Sequence, residues 1–251
     1  MIPRCVSLAL ALALLLAAPI ARAEPLKLRV AWITVPTSLA PILHDKRELA
    51  RHLGTSYVVE PQRFAGSSQM TAALAAGDLD IAEFSYSSFA YAVENGHMRD
   101  LRVIADEIED GVPGYYSTKY MVLNDGPVHR VEDLKGKVVA TNVIGTGTDI
   151  GLRAMLRRHG LEDKRDYTVI ESNYANMNAL LFGHKADLIT SILAFETPEL
   201  KAKAHPLFRL RDVMGVTQIL SLAAREPFIK AHRAQLVDYM EDYIRTLRWY
   251  L

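Results

Sequence analysis

Cysteine is almost missing from this chain of 251 residues, and its single example, Cys5, stands near the start. Beyond it no disulfide, thiol nucleophile or cysteine metal site can form, so stability must come from burial. An excess of one charge is missing too, with 29 Lys and Arg facing 29 Asp and Glu. That balance leaves no electrostatic footprint for nucleic acid or for an anionic lipid surface. Catalytic signatures are equally scarce. The histidines (His44, His52, His97, His129, His159, His184, His205 and His232) are scattered, and no pair has zinc-peptidase spacing with a glutamate. There is no Gly-x-Ser-x-Gly elbow and no Gly-x-x-x-x-Gly-Lys-Ser/Thr phosphate loop. No catalytic residue, metal or cofactor is expected, and there is no internal repeat or low-complexity tract.

A long apolar run occurs only at the start. Arg4 gives a short basic region, Val6 to Ala18 is rich in Leu and Ala, and Pro19 ends the run. Ala21-Arg22-Ala23 then supplies the small residues that signal peptidase requires. The run is shorter than the roughly 20 residues that span a bilayer. This favours a signal peptide at 1–23, cleaved before Glu24, over an uncleaved anchor. Cys5 precedes the apolar core, so lipoprotein-type acylation is not expected. Cleavage would take Arg4 and Arg22 away, leaving 27 basic residues against 29 acidic ones in a mature chain of 228. That length builds one large domain or two small ones.

The rest alternates short β-like runs with helical ones. Leu28 to Ile33 reads as a strand, Ser38 to Leu53 as a helix, and Tyr57 to Glu60 as a strand. Ser67 to Ala76 is helical and is stopped by Gly77; Leu79 to Phe84 and the helix through Ala90 to Glu94 complete a third unit. After the irregular Asp110 to Ser117, the alternation resumes with strands at 119–123, 138–141, 168–171 and 188–190, and helices at 149–158 and 175–182. A strand at 218–223 precedes a last helical run, Pro227 to Leu251, with Phe228, Leu236, Met240, Ile244, Leu247 and Leu251 at helical spacing. Such alternation implies an α/β architecture with mostly parallel strands.

Three junctions after strands are rich in small and hydroxyl residues: Phe64-Ala-Gly-Ser-Ser-Gln69, Phe84-Ser-Tyr-Ser-Ser88 and Val143-Ile-Gly-Thr-Gly-Thr-Asp149. Ligands of open α/β sheets sit outside the carboxyl ends of the strands. A new helix N-terminus there offers N–H groups and partial positive charge. Plain helix capping is the competing explanation for each junction alone; three together point to a shared cleft.

The order Phe64-Ala-Gly-Ser, then Ala73-Leu-Ala-Ala-Gly-Asp-Leu-Asp-Ile81, then Val131-Glu-Asp-Leu-Lys-Gly-Lys-Val-Val-Ala140 resembles periplasmic solute-binding proteins of the sulfonate, taurine and nitrate group. That broad group also includes pyrimidine binders. Leu152 to Leu161 and Ala179 to Asp187 extend the resemblance over nearly all of residues 26–250. It implies a type II periplasmic-binding fold, with one lobe at 24–118 plus 217–251, a second at 119–216, and ligand between them. It also implies a monomer in the periplasm that delivers its small-molecule ligand to an inner-membrane ABC permease with its ATPase. Carried over by position, ligand contacts fall at Gly66 and Ser67, at Ser85 and Tyr86, in the Thr146-Gly147-Thr148 loop, at Asn173 and at Thr190. The Val143-Ile-Gly-Thr-Gly-Thr turn departs from the Lys-Gly-Ser-like turn of many sulfonate binders.

Two ligand classes stay open, a sulfonate-like organic anion and an aromatic acid or pyrimidine. The cleft has no certain Lys or Arg, Arg63 before the first junction being a candidate charge with surface exposure as the alternative, whereas Trp32, Tyr86 and Tyr174 can stack on a ring or simply pack in the core. Asp149 and Glu196 are candidates for a cationic substituent, with capping and solvation as the alternatives. Enzymes share this fold, so fold alone does not exclude catalysis; export and the missing motifs favour a receptor.

Overall fold

Two five-stranded mixed sheets organise the chain. The computed structural model describes residues 24–34 and 38–251; the expected leader at 1–23 lies outside them. β1 (Leu26–Trp32) leads through α1 (Ala40–Asp45) to β2 (Tyr57–Arg63), then α2 (Ser67–Ala76), β3 (Ile81–Phe84), α3 (Tyr86–Glu94) and β4 (Leu101–Asp110). The chain then crosses to a second set. This contains β5 (Lys119–Leu123), β6 (Val138–Thr141), α4 (Gly147–Arg158), β7 (Thr168–Glu171), α5 (Tyr174–Phe182) and β8 (Leu188–Ser191). α6 (Pro198–Lys203), β9 (Ala204–Arg209) and α7 (Leu210–Met214) complete it, and the chain returns in β10 (Thr217–Arg225), α8 (Glu226–Ala231) and α9 (Arg233–Tyr250).

The strand orders are β2-β1-β3-β10-β4 and β7-β6-β8-β5-β9. They are the same order twice: β5 holds in the second sheet the place that β10 holds in the first. In each sheet the three βα-linked strands pair in parallel, while the strand that has just crossed over pairs antiparallel with both its neighbours. The sheets are therefore mixed rather than mostly parallel. A crossing strand enters from the opposite lobe and has to run back along the sheet.

Both faces of each sheet are covered, which is why the strands carry apolar residues in both directions. In β1, Leu28 and Val30 pack with α1 and α9, whereas Ala31 joins the cluster under α2 and α3. In the second sheet Val139 and Leu188 face one core, and Ala140 and Ile189 the other. Among the described residues no helix is long and apolar enough to cross a membrane.

Two helical expectations are shorter than the sequence pattern implies. The run Ser38 to Leu53 keeps only α1 and a 3-10 turn at Arg47–Leu49. The amides of Arg51 and His52 donate instead to the buried Asp242 carboxylate of α9, at 2.7 and 2.9 Å, and Tyr57 Oη donates to it at 2.9 Å. The last run breaks at His232 into α8 and α9, and its buried stripe is Leu236, Tyr239, Asp242, Tyr243 and Thr246. Ile244 and Leu251 are exposed. The polar anchors turn the helix away from the purely apolar face. Asp242→Asn, which replaces one acceptor oxygen by a donor, should cost about 1–2 kcal/mol, read as a Tm lowered by a few degrees.

Candidate functional site

Three helix N-termini meet between the sheets. α3 starts with a reciprocal cap: Ser88 N–H donates to Ser85 Oγ at 3.3 Å and Ser85 N–H to Ser88 Oγ at 3.0 Å. Ser67, first residue of α2, joins them, accepting from Ser88 Oγ at 2.8 Å and donating to Ser85 Oγ at 3.2 Å. From the other sheet, the Gly147 amide at the start of α4 donates to Ser85 Oγ at 3.1 Å. Tyr86 Oη donates to Gly147 O at 2.8 Å and Ser87 Oγ to Gly145 O at 3.0 Å. These bonds join the lobes directly.

Gly147 sits at the closest part of this approach. A Cβ there would lie 2.7 Å from Ile219 Cδ1, 3.0 Å from Tyr86 Cε1 and 3.2 Å from Ser85 Cβ. Ile219 reaches across because the β10–β4 ladder is irregular between Gln218 and Leu220, which pair with the adjacent residues Glu109 and Ile108. The extra residue forms a bulge, and bulges re-aim side chains. Inside the α4 loop, Thr146 and Thr148 both donate to Asn142 Oδ1, at 3.0 and 2.8 Å.

The hydroxyl cluster borders a cavity of about 450 Å³, within the size range of small-molecule sites. The first lobe contributes Ile33, Thr34, Ser67, Ser85, Glu107, Ile108, Glu109, Ile219 and Leu220. The second contributes Asn142, Thr146, Gly147, Thr148, Tyr174, Ile192 and Leu193. Asp110, Tyr115, Tyr116 and Thr118 come from the crossing segment, and Leu251 from the chain end.

Of the residues expected from sequence, Ser67, Ser85, Thr146, Gly147 and Thr148 line this cavity. Gly66 and Tyr86 stand behind it, at the contact between lobes: a Cβ on Gly66 would lie 3.0 Å from Thr146 Cγ2. Three residues fall elsewhere. Trp32 lies beneath the Arg63 guanidinium, 5.5 Å from its ring centroid. Asn173 caps α5 by accepting from Asn176 N–H at 3.2 Å, and buried Thr190 donates to Ala140 O at 3.1 Å. For Trp32 and Asn173 the next residue along, Ile33 or Tyr174, lines the cavity instead.

The charged candidates are used internally. Asp149 accepts from Gly145 N–H at 2.9 Å and pairs with Arg153 at 2.9 Å. Glu196 binds Lys119 at 2.7 Å and accepts from Tyr116 Oη at 2.9 Å. Asp110 accepts from Ser117 Oγ at 2.5 Å and Thr118 N–H at 2.7 Å, tying β4 to the start of β5. Burial pushes the Tyr174 hydroxyl up to about 12. The Tyr86 hydroxyl also rises to about 12, mainly through burial and then through Asp110 and Asp149.

Glu107 gave no sequence signal. Its Oε1 accepts from Tyr243 Oη at 2.8 Å, while its Oε2 is buried without a partner. Burial pushes it up to about 8, against the Tyr243 hydrogen bond. Glu83 on β3 is raised well above the carboxylate range by burial and then by Glu107. Ser38 and the Ile33 amide lie near enough to oppose that shift, but neither makes a well-formed hydrogen bond to Glu83.

The lining contains no His, Cys, Lys or Arg among the described residues, and its serines bond one another and backbone rather than a general base. Nor do the described residues hold a group of three or more His, Cys, Asp or Glu that could bind a metal. What the arrangement offers is shape, hydroxyls and helix N-termini, the means of binding.

Paired mixed sheets with a cavity at their facing helix N-termini define the type II periplasmic-binding fold. The chain belongs to the NMT1/THI5-like family, whose profile matches residues 58–248. Its fold is similar to the alkanesulfonate-binding protein SsuA from Xanthomonas axonopodis pv. citri bound to MOPS, at 19% identity and TM-score 0.70 over 89% of this chain and 74% of that one. The periplasmic aliphatic sulphonate binding protein SsuA from Escherichia coli is similar at 20% identity and TM-score 0.66, over 89% of this chain and 73% of that one. The periplasmic nitrate-binding protein NrtA from Synechocystis PCC 6803 is similar at 14% identity and TM-score 0.67, over 90% and 62%. At these identities the likeness is one of fold. No curated protein matches the sequence.

Proposed function

We propose that the protein is the extracytoplasmic receptor of an ABC-type importer. It works as a periplasmic monomer that captures a small molecule between lobes 24–118 plus 217–251 and 119–216, then presents the closed form to a permease with its ATPase. The observation that carries this reading is the convergence of α2, α3 and α4 N-termini on one cavity between the lobes. Those N-termini suit the sulfonate-like or nitrate-like anion named for the structural neighbours, held by Ser67, Ser85 and Thr148 with the helix amides. An aromatic ligand, acid or pyrimidine, is the second reading, favoured by Tyr116 and Tyr174 in the wall. Catalysis is not part of the proposal.

The test is thermal unfolding against alkyl sulfonates, taurine, nitrate, aromatic carboxylates and pyrimidines. A ligand at about a hundred times its Kd adds about 2.7 kcal/mol, a shift of several degrees. One responding chemical class supports the receptor; a transition that none of them moves counts against it. Closure also predicts protection of the crossing segment. Its backbone turns at Gly111 (φ +85°), where a Cβ would lie 2.6 Å from Arg211 Cβ of α7. Limited proteolysis between Asp110 and Ser117 should slow when ligand is bound, and equal rates would argue against hinge closure.

A further inference from the structure

Several polar side chains of the cavity wall are already committed within the protein. Ser67 and Ser85 bond each other and Ser88, Tyr116 Oη donates to Ser191 O and Glu196, and Asp110 is held by Ser117 and Thr118. Among the described residues no lysine or arginine lines the cavity, so donors to a ligand must come from neutral groups. Asn142, just past the end of β6, uses only half of its amide. Its Oδ1 accepts from Thr148 Oγ1 at 2.8 Å, and Thr146 Oγ1 lies 3.0 Å from the same atom. The other side-chain oxygens near Thr148 Oγ1, those of Thr146 and Tyr174, stand farther off at 3.3 and 3.4 Å, so its proton goes to Oδ1. Such a network is what tells the two ends of an amide apart. Nδ2 therefore faces away from the threonines, and among the described residues nothing accepts from it. Unlike the unpartnered Thr141 Oγ1 and Ser191 Oγ at neighbouring strand ends, it is not sealed from solvent. Asn142 as a whole is only 5% exposed, and the open space it borders is the cavity.

We propose that Asn142 is a specificity residue of the cavity, whose Nδ2 donates to an acceptor on the ligand, a sulfonate or carboxylate oxygen or a ring nitrogen. This rests on reading the cavity as a ligand site, and it fixes which chemical end of the ligand lies beside the α4 loop. Burial and the Thr148 bond hold the amide in place before ligand arrives, so little ordering is lost on binding. A hydrogen bond to a charged acceptor in a site shielded from water changes affinity by on the order of tenfold or more.

Two matched pairs test the donor: benzoate with benzamidine, and butanesulfonate with butylguanidinium. Within each pair the apolar body is the same, the first head only accepts and the second only donates. Affinities are measured by calorimetry on the wild-type protein and on Asn142→Leu, which keeps the size and the charge but removes the donor. The expected result is that the accepting member of at least one pair binds tenfold or more tightly than its partner, and that Asn142→Leu erases most of the difference while the empty variant still unfolds cooperatively. A purely structural role for Asn142 would instead weaken both members alike, and that result overturns the inference. Equal binding within each pair, or a preference for the donating member, overturns it too and leaves the receptor standing. A preference that survives Asn142→Leu belongs to the helix N-termini and overturns the assignment to Asn142. Should Asn142→Leu fail to fold, Asn142→Asp, which keeps an oxygen for Thr148, is read by the same criterion. If no member of either pair binds, this inference falls, and thermal unfolding against the wider panel decides separately whether the receptor falls with it.

Discussion

Gly147→Val should weaken ligand binding by about 10–100-fold while moving the thermal transition of the empty protein little. The first side-chain carbon at 147 would stand 2.7 Å from Ile219 Cδ1, and valine adds two methyl groups beside Tyr86 and Ser85. Ser85 and Tyr86 belong to the first lobe and α4 to the second, whereas Ile219 of β10 packs in the core cluster of the second sheet. The clash with Ser85 and Tyr86 therefore arises where the lobes touch. Overpacking costs about 1–3 kcal/mol, and each 1.4 kcal/mol is roughly tenfold in affinity. An open form escapes the clash, so the penalty falls on closure and is read in Kd rather than in stability. Gly147→Ala should show a smaller loss, because the Ile219 methyl end can swing aside. Combining it with Ile219→Ala should restore part of that loss, a coupling a double-mutant cycle measures. An unchanged Kd for Gly147→Val would mean that the lobes do not need this contact to hold ligand.

The three junctions were legible in sequence because they follow a local rule. A strand ending in small and hydroxyl residues before a helix marks a site edge wherever the strands are parallel. Ser67, Ser85 and Gly147 obey it, and the chain brings them within hydrogen-bond reach. The family resemblance shared only the first of these junctions, Phe64 to Ser67, and rested otherwise on stretches such as Ala73 to Ile81 and Val131 to Ala140. What was not readable came from the antiparallel strands. β4, Leu-Arg-Val-Ile-Ala-Asp-Glu-Ile-Glu-Asp, is too charged to look like a strand beside a cavity, yet it supplies Glu107, Glu109 and Asp110 to the wall. Ile219 enters by a bulge that depends on the register between β10 and β4, set by residues over 100 positions apart. Beside Trp32 and Asn173 it is the next residue, Ile33 or Tyr174, that lines the cavity, since which side chain at a strand end turns inward is fixed by the lobe opposite. Local chemistry marks the strand ends, but long-range pairing chooses the side chains.

Raising the pH from about 5 to about 9 should destabilise the empty protein, the reverse of what paired carboxylates produce. Glu107 is raised from the ordinary 4.5 to about 8 in the folded state, and Glu83 is raised with it, both chiefly by burial. The folded protein therefore holds protons that the unfolded chain has released. Between the unfolded and folded values each such group takes stability away as the pH rises, starting near the unfolded value and, for Glu107, ending near 8. Asp100 and Glu226 act with the opposite sign. Their folded values are lowered, by Arg225 and by Lys230 first, so the stability they lend is lost only as the pH falls below the usual carboxylate range. The two trends place the stability maximum on the mildly acidic side. Urea unfolding across this range should show the fall in the wild type and a nearly flat profile in Glu83→Gln/Glu107→Gln, which is neutral at every pH. A wild-type profile that stays flat, or a fall that persists in the double variant, would mean that the pair ionises freely in the fold. Tyr243, donating to Glu107 at 2.8 Å, favours the charged form, but burial outweighs it, and ionisation of the pair places like charges beneath α9. The high-pH loss should accordingly appear first as increased hydrogen exchange in α9, ahead of global unfolding.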